Sequence, residues 1–209
     1  MLSQAAALLL SYLAGSIPFG LVLVRLFKGV DLRALGSGNI GATNAMRAAG
    51  KPIGLAVFAL DFLKGWVAIA VFARWVAGAD ALSWWAVACG AASVLGHCFP
   101  IWLGFKGGKG VATGCGALVA IDPLIWVYGG VVWLASLVGL RMVSLASILM
   151  GLAFPIAAWL RTARAEPTVG AALLAILILV RHRSNMARIM AGSEPKVFRK
   201  RASAEGTHG

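Results

Sequence analysis

The sequence predicts an all-α integral membrane protein with about seven transmembrane helices. Three observations carry that expectation. Of the 209 residues, 60% are hydrophobic and only 12% are charged, whereas a soluble domain is nearer half apolar and a quarter charged. The mean hydropathy is +0.87. The apolar residues also form continuous runs and do not alternate, which argues against a transmembrane β-barrel. A helix of about 20 mainly apolar residues is then the natural spanning unit.

The runs fall in order along the chain. The first covers roughly 3–27 and contains Pro18. It lacks the basic leading region of a signal peptide, so it reads as a retained first span. The second, about 53–77, carries Asp61 and Lys64 inside it. The third is about 81–96. A short run at about 111–121 ends at Asp122-Pro123, and three more follow at about 124–139, 143–160 and 168–181. Residues 182–209 form a polar, basic tail, and no soluble domain separates from the rest.

The formal charge of +12, from 19 Lys and Arg against 7 Asp and Glu, points to anionic lipid and a phosphorylated substrate, not nucleic acid, because most of the basic residues lie between apolar runs. With the N-terminus outside and seven crossings, 15 basic residues fall on the inner side and Arg74, Arg161 and Arg164 on the outer. The positive-inside rule therefore predicts a cytoplasmic C-terminus. Cys89, Cys98 and Cys115 are odd in number and contain no C-x-x-C pair, so they read as small apolar residues of helices.

Three polar segments lie on the predicted cytoplasmic side. The first, Gly36-Ser37-Gly38-Asn39-Ile40-Gly41-Ala42-Thr43-Asn44 followed by Arg47, contains G-x-G-x-x-G in form. That fingerprint has meaning only in a βαβ unit, which this chain cannot build. Its physical content survives, because glycines let successive backbone N–H groups turn towards one anion while Ser, Thr and Asn add donors. The second segment, from Gly96-His97 to Gly107-Gly108-Lys109-Gly110-Val111-Ala112-Thr113, is not a Walker A loop, since Leu103 and Gly110 occupy the diagnostic places. It still offers glycines, a central lysine and a helix start, which together suit a phosphate. In the third segment, His182, Asn185 and Arg188 recur at i, i+3 and i+6, so they share one helix face.

Asp61 and Lys64, three apart, are expected to pair inside the bilayer. Ser144 and Ser147 begin the sixth run, where serines either satisfy the helix backbone or line a site. No H-E-x-x-H and no compact His, Asp and Glu cluster occurs, so neither a metal nor another cofactor is expected.

The pieces SGNIGATN, GHCFPIWLGFKGGKGVAT and HRSNMARIMAGSEPK, in this order and at these spacings, resemble the bacterial acyl-phosphate-dependent glycerol-3-phosphate acyltransferases, the PlsY family. The resemblance implies a multi-pass protein of the bacterial inner membrane whose site faces the cytoplasm. It implies transfer of a fatty acyl group from acyl phosphate to the 1-hydroxyl of glycerol 3-phosphate, giving lysophosphatidic acid and inorganic phosphate. By resemblance, Ser37, Gly38, Thr43, Asn44, Lys109 and Thr113, with the backbone N–H groups of Gly107 and Gly108, hold the acyl phosphate. Arg47, Lys109, Ser144, Ser147, His182, Asn185 and Arg188 take glycerol 3-phosphate. Lys109, Ser37, His182 and Asn185 are the catalytic candidates, with His97 and Glu194 as further ones. Neither His97 nor His182 has an Asp five residues later, so the pattern of the larger class of glycerolipid acyltransferases is absent. An acyl phosphate has a good leaving group, so positioning and charge stabilisation suffice without a covalent intermediate. The departing phosphate, His97 and His182 all remain candidates to accept the proton. The expected partners are the two substrates and the bilayer, with the chain a monomer. A transporter or channel for an organic phosphate is the alternative.

Overall fold

The computed structural model describes residues 2–197; the end of the basic tail, 198–209, lies outside the described residues. Ten α-helices account for most of the described chain and no strand occurs among them. They are α1 Leu2–Ser16, α2 Phe19–Lys28, α3 Ala42–Ala49, α4 Lys51–Val67, α5 Trp84–Cys98, α6 Val111–Ile121, α7 Pro123–Leu140, α8 Val143–Thr162, α9 Ala165–Arg181 and α10 Arg183–Met190. A π-helical stretch, Ala68–Val76, extends α4.

Five helical segments are long and apolar enough to cross a bilayer: Leu2–Lys28, Lys51–Val76, Trp84–Leu103, Pro123–Leu140 and Val143–Thr162. The pair α9 and α10, bent by 58°, counts as a sixth if the two helices form one span. Helix α6 has 11 residues and reaches about 16 Å at 1.5 Å per residue, roughly half of a hydrocarbon core. The first span is broken where Pro18 lacks an N–H to donate. At the break the Ile17 carbonyl accepts the Phe19 N–H at 3.1 Å, and the Lys64 ammonium donates to it as well, at 3.1 Å. Lys64 also pairs with Asp61 at 2.8 Å, one turn back on α4, with both side chains buried.

Small residues bring the helix backbones together, as expected where packing rather than the hydrophobic effect drives association. A Cβ on Gly15 would strike the backbone of Ser93, and one on Gly96 would strike the carbonyl of Tyr12, so α1 and α5 cross in direct contact. Gly65 and Gly116 do the same for α4 and α6, against the carbonyls of Thr113 and Phe62. The largest core cluster joins α5, α6, α7, α8 and α9 around the fully buried Phe154, Ile125 and Ile178. All three cysteines are free and buried.

Candidate active site

The first glycine-rich segment is shaped by Asn44, at the start of α3. Its side-chain amide donates to the carbonyls of Leu32, Leu35 and Asn39 at 2.9–3.2 Å, and its Oδ1 accepts the N–H of Ser37 at 3.0 Å. Gly36 and Gly38 take the positive φ values, 57° and 68°, that this turn demands. The polar capacity of Asn44 is therefore spent inside the loop. Ser37, Thr43 and Arg47 are exposed around it and line the adjoining cavity.

The second segment is stitched from both sides. The N–H of Gly107 donates to the Cys98 carbonyl at 3.1 Å, and that of Gly108 to the His97 carbonyl at 3.0 Å. From the other side, the Arg181 guanidinium donates to the carbonyls of Gly108 and Gly107 at 2.9 and 2.8 Å, and it lies over the Phe99 ring. A Cβ at Gly108 would land on the His97 imidazole. These glycines thus permit close approach to the end of α5, and they hold the following Lys109 in place. The amides expected to face an anion are already committed to carbonyls. Thr113 is also not brought to the site: it is fully buried on α6, outside both cavities described below, and its hydroxyl has no partner among the described residues.

The third segment bends at His182. Its Nδ1 lies 2.8 Å from the Ile178 carbonyl. A carbonyl only accepts, so Nδ1 carries the hydrogen, and in the neutral ring Nε2 is left as a bare acceptor. One turn on, the Asn185 Oδ1 accepts from the Lys109 ammonium, while its Nδ2 donates to Glu194 at 2.7 Å. Glu194 also accepts from Ser144 at 2.7 Å and from Arg188 at 2.8 Å. Ser147 instead donates to the Val143 carbonyl and accepts from the Trp133 indole at 3.3 Å, which is the backbone-satisfying arrangement.

Two cavities meet at these residues. The smaller, about 260 Å³, is lined by Ser37, Gly38 and Gly107 and by Lys109, Arg181, Arg183 and Arg188, with no carboxylate in its wall. The larger, about 740 Å³, is lined by Thr43, Arg47, Ser144 and His182 and, over most of its wall, by aromatic and aliphatic side chains. Ser37, Asn39, Lys109, Asn185 and Arg188 line both. Burial lowers the Lys109 pKa to about 8; Glu194 opposes the shift, and Arg188, Arg181 and Arg47 reinforce it. Burial pushes the Glu194 carboxyl up, but hydrogen bonds from Ser144, Asn185 and Arg188 outweigh it, so its pKa lies below the ordinary value.

Asp61 and His97, both buried, also line the larger cavity. His97 Nδ1 stands 3.5 Å from the Asp61 oxygen that pairs with Lys64. The residues are 36 apart on different helices, and no local spacing reveals the approach. Arg181 and Arg183 are further cavity-lining residues that motif reasoning did not single out. Their one sequence signal is that they flank His182. No group of three His, Cys, Asp or Glu that could hold a metal occurs among the described residues.

The chain as a whole is similar to known proteins. The family model for glycerol-3-phosphate acyltransferase matches residues 5–192. The chain belongs to the glycerol-3-phosphate acyltransferase family. A family member from Anaeromyxobacter dehalogenans is 48% identical over 189 residues, covering 89% of this chain and 93% of its own. One from Aquifex aeolicus is 47% identical over 188 residues, covering 88% and 94%. The crystal structure of PlsY (YgiH), an integral membrane glycerol 3-phosphate acyltransferase, in its glycerol 3-phosphate form superposes with a TM-score of 0.88 at 41% identity, covering 93% of this chain and 95% of that one. Its lysophosphatidic acid form gives 0.86 at 40% identity, with the same coverage. The family's multi-helix membrane fold is thus the fold of this chain.

Proposed function

We propose that the protein is an acyl-phosphate:glycerol-3-phosphate acyltransferase of the bacterial inner membrane, with its site facing the cytoplasm and its C-terminus on the same side. The single observation that carries this reading is that one lysine, Lys109, lines both a basic polar cavity and a larger cavity with a mainly apolar wall. Two phosphates and one acyl chain need such a pair of spaces. The names of the family members, and the glycerol 3-phosphate and lysophosphatidic acid forms of the PlsY neighbour, support glycerol 3-phosphate as the acceptor and lysophosphatidic acid as the product. With α6 counted as a seventh crossing, the 15-to-3 division of basic residues supports the orientation.

In this reading the smaller cavity takes the phosphate of the acyl phosphate, near Ser37, Gly38 and Lys109, with Arg181 and Arg183 adding charge. Thr43 supports it from the neighbouring wall. Glycerol 3-phosphate lies beside the polar residues of the larger cavity, with Arg47, Asn185 and Arg188 about its phosphate and Lys109 between the two anions. The bare Nε2 of His182 suits a hydroxyl donor and would repel an anion, so it orients an alcohol of the glycerol. Ser144 and Glu194 hold Asn185 and Arg188 in place. Asn44 and the Gly107–Gly108 pair shape the loops without touching substrate.

The 1-hydroxyl oxygen attacks the acyl carbonyl carbon, and the bond from that carbon to the bridging phosphate oxygen breaks. The departing phosphate takes the electron pair, while the hydroxyl proton moves to a phosphate oxygen. The products are lysophosphatidic acid and inorganic phosphate. Lys109 offsets the charge that gathers on the leaving group. One chain supplies every residue of this constellation.

The test is purified protein with palmitoyl phosphate and radiolabelled glycerol 3-phosphate, without nucleotide, thioester or metal. Labelled lysophosphatidic acid with one equivalent of phosphate is expected. Turnover only with an acyl thioester would overturn the donor. Movement of unmodified label across proteoliposomes, without product, would favour the transporter.

A further inference from the structure

Helix α7 carries two adjacent glycines in opposite surroundings. A Cβ on Gly129 would collide with the Phe154 ring, so Gly129 serves the close packing of α7 on α8. A Cβ on Gly130 would meet nothing within 4 Å, yet Gly130 lines the larger cavity. A glycine inside an apolar helix costs stability relative to alanine. At Gly130 no neighbouring atom requires that cost, so what the glycine provides is empty space.

The space has a fixed frame. Trp126, Gly130 and Trp133 follow at i, i+4 and i+7 and share one face of α7, and all three line the cavity. The Trp133 indole is held by its hydrogen bond to Ser147. The Trp126 ring is held edge-to-face by Phe62, with centroids 5.9 Å apart. Met150 and Cys115 supply apolar walls from α8 and α6. Gly130 therefore forms a notch between two anchored indoles. Trp133 sits beside Ser147, one turn along α8 from Ser144. Gly130 lies three residues farther along α7, about 4.5 Å deeper, and Trp126 deeper still.

We propose that Gly130 is the chain-length-determining residue: its missing side chain lets the acyl tail pass from Trp133 to the space beside Trp126, and so sets how many methylenes the site accepts. The inference rests on the acyl-transfer reading above and adds to it which residue measures the tail. A larger side chain at this position closes the notch against long tails and leaves short ones room.

The experiment measures kcat/KM of wild type, Gly130→Ala and Gly130→Leu with octanoyl, dodecanoyl, palmitoyl and stearoyl phosphates. Alanine and leucine are both better helix formers than glycine, so thermal stability in detergent should not fall. Gly130→Leu is expected to lose about 10–200-fold on palmitoyl and stearoyl donors, the scale of a methylene misfit in an apolar pocket, while keeping octanoyl transfer within about threefold. Gly130→Ala should fall between leucine and wild type and gives the answer if the leucine variant does not fold. A uniform loss over all chain lengths, or an unchanged profile, would overturn the proposal. If wild type ignores every acyl phosphate, the donor assignment fails; the same length series with the donor it does accept then decides the role of Gly130.

Discussion

The Ser144 hydroxyl donates to Glu194 at 2.7 Å across fifty residues of chain, tying the start of α8 to the turn beyond α10. The same Glu194 oxygen accepts from Asn185, whose own Oδ1 receives the Lys109 ammonium. A relay of four side chains thus runs from α8 to the lysine shared by both cavities, with Glu194 at its centre.

Glu194→Gln keeps the shape and removes the charge. Hydrogen bonds to a charged group contribute about 1.5–3 kcal/mol, so kcat/KM should fall roughly 10–100-fold. Initial rates over a glycerol 3-phosphate series check this. A variant within twofold of wild type would mean the relay does not hold the site.

Lys109 lines both cavities and Lys106 lines neither. Lys109→Ala should lower kcat about 10²–10³-fold, as does loss of one donor to a developing oxyanion. Lys106→Ala should stay within about twofold. Equal, small effects in a direct rate comparison would reduce Lys109 to an ordinary positive-inside residue.

With its pKa lowered to about 8, Lys109 is charged below that pH and neutral above it. If the ammonium is the active form, kcat/KM should decline as pH rises through about 8. Bound phosphates favour the charged form, so the limb in kcat should lie at higher pH. Lys109→Arg, charged throughout, should lose the limb in whatever activity remains. A limb that persists unchanged in that variant belongs to another group.

If, as proposed, the ring orients a hydroxyl and the phosphate takes the proton, His182→Asn should raise KM for glycerol 3-phosphate and lower kcat by less than about tenfold. His97→Asn should leave any limb near pH 6–7 unaltered. A variant of either histidine that keeps KM but loses about 10³-fold in kcat identifies that histidine as a general base.

Gly65→Ala pushes a methyl into the Thr113 carbonyl, whereas Gly139→Ala meets nothing within 4 Å. Overpacking costs about 1–3 kcal/mol, so the first should unfold at lower temperature and the second at the wild-type temperature or above. The three buried thiols give the readout, since a thiol-reactive dye reaches them on unfolding. Identical melting of the two variants would contradict the close crossing of α4 and α6.

Apolar runs and three polar motifs were legible because each is local: a helix's length, a glycine turn and an i, i+3 face all lie within a few residues. The Asp61–Lys64 pair was legible for the same reason. What local spacing hid were the partners. Nothing in the sequence says that the Gly107 and Gly108 amides meet carbonyls at the end of α5, that Asn44 is consumed by its own loop, or that Thr113 turns into the α4–α6 contact. Glu194 was a candidate by resemblance alone, and its place under Asn185, Arg188 and Ser144 depends on how α10 folds back on α8. His97 meeting Asp61 likewise needs α4 and α5 side by side.

The lysine that touches the break in the first span has a bearing on how the chain is made. An isolated Asp or Lys at the centre of a helix opposes membrane insertion by about 2.5–3.5 kcal/mol each. Asp61 and Lys64 neutralise one another within a single turn, so the nascent second span carries its own counterion. Its remaining acceptor, the Ile17 carbonyl, belongs to the segment synthesised just before. The first two spans therefore satisfy each other before anything later in the chain exists, and they can leave the translocon together as a hairpin. Loss of Asp61 would strand a cation at that step, so the damage would appear first as protein missing from the membrane.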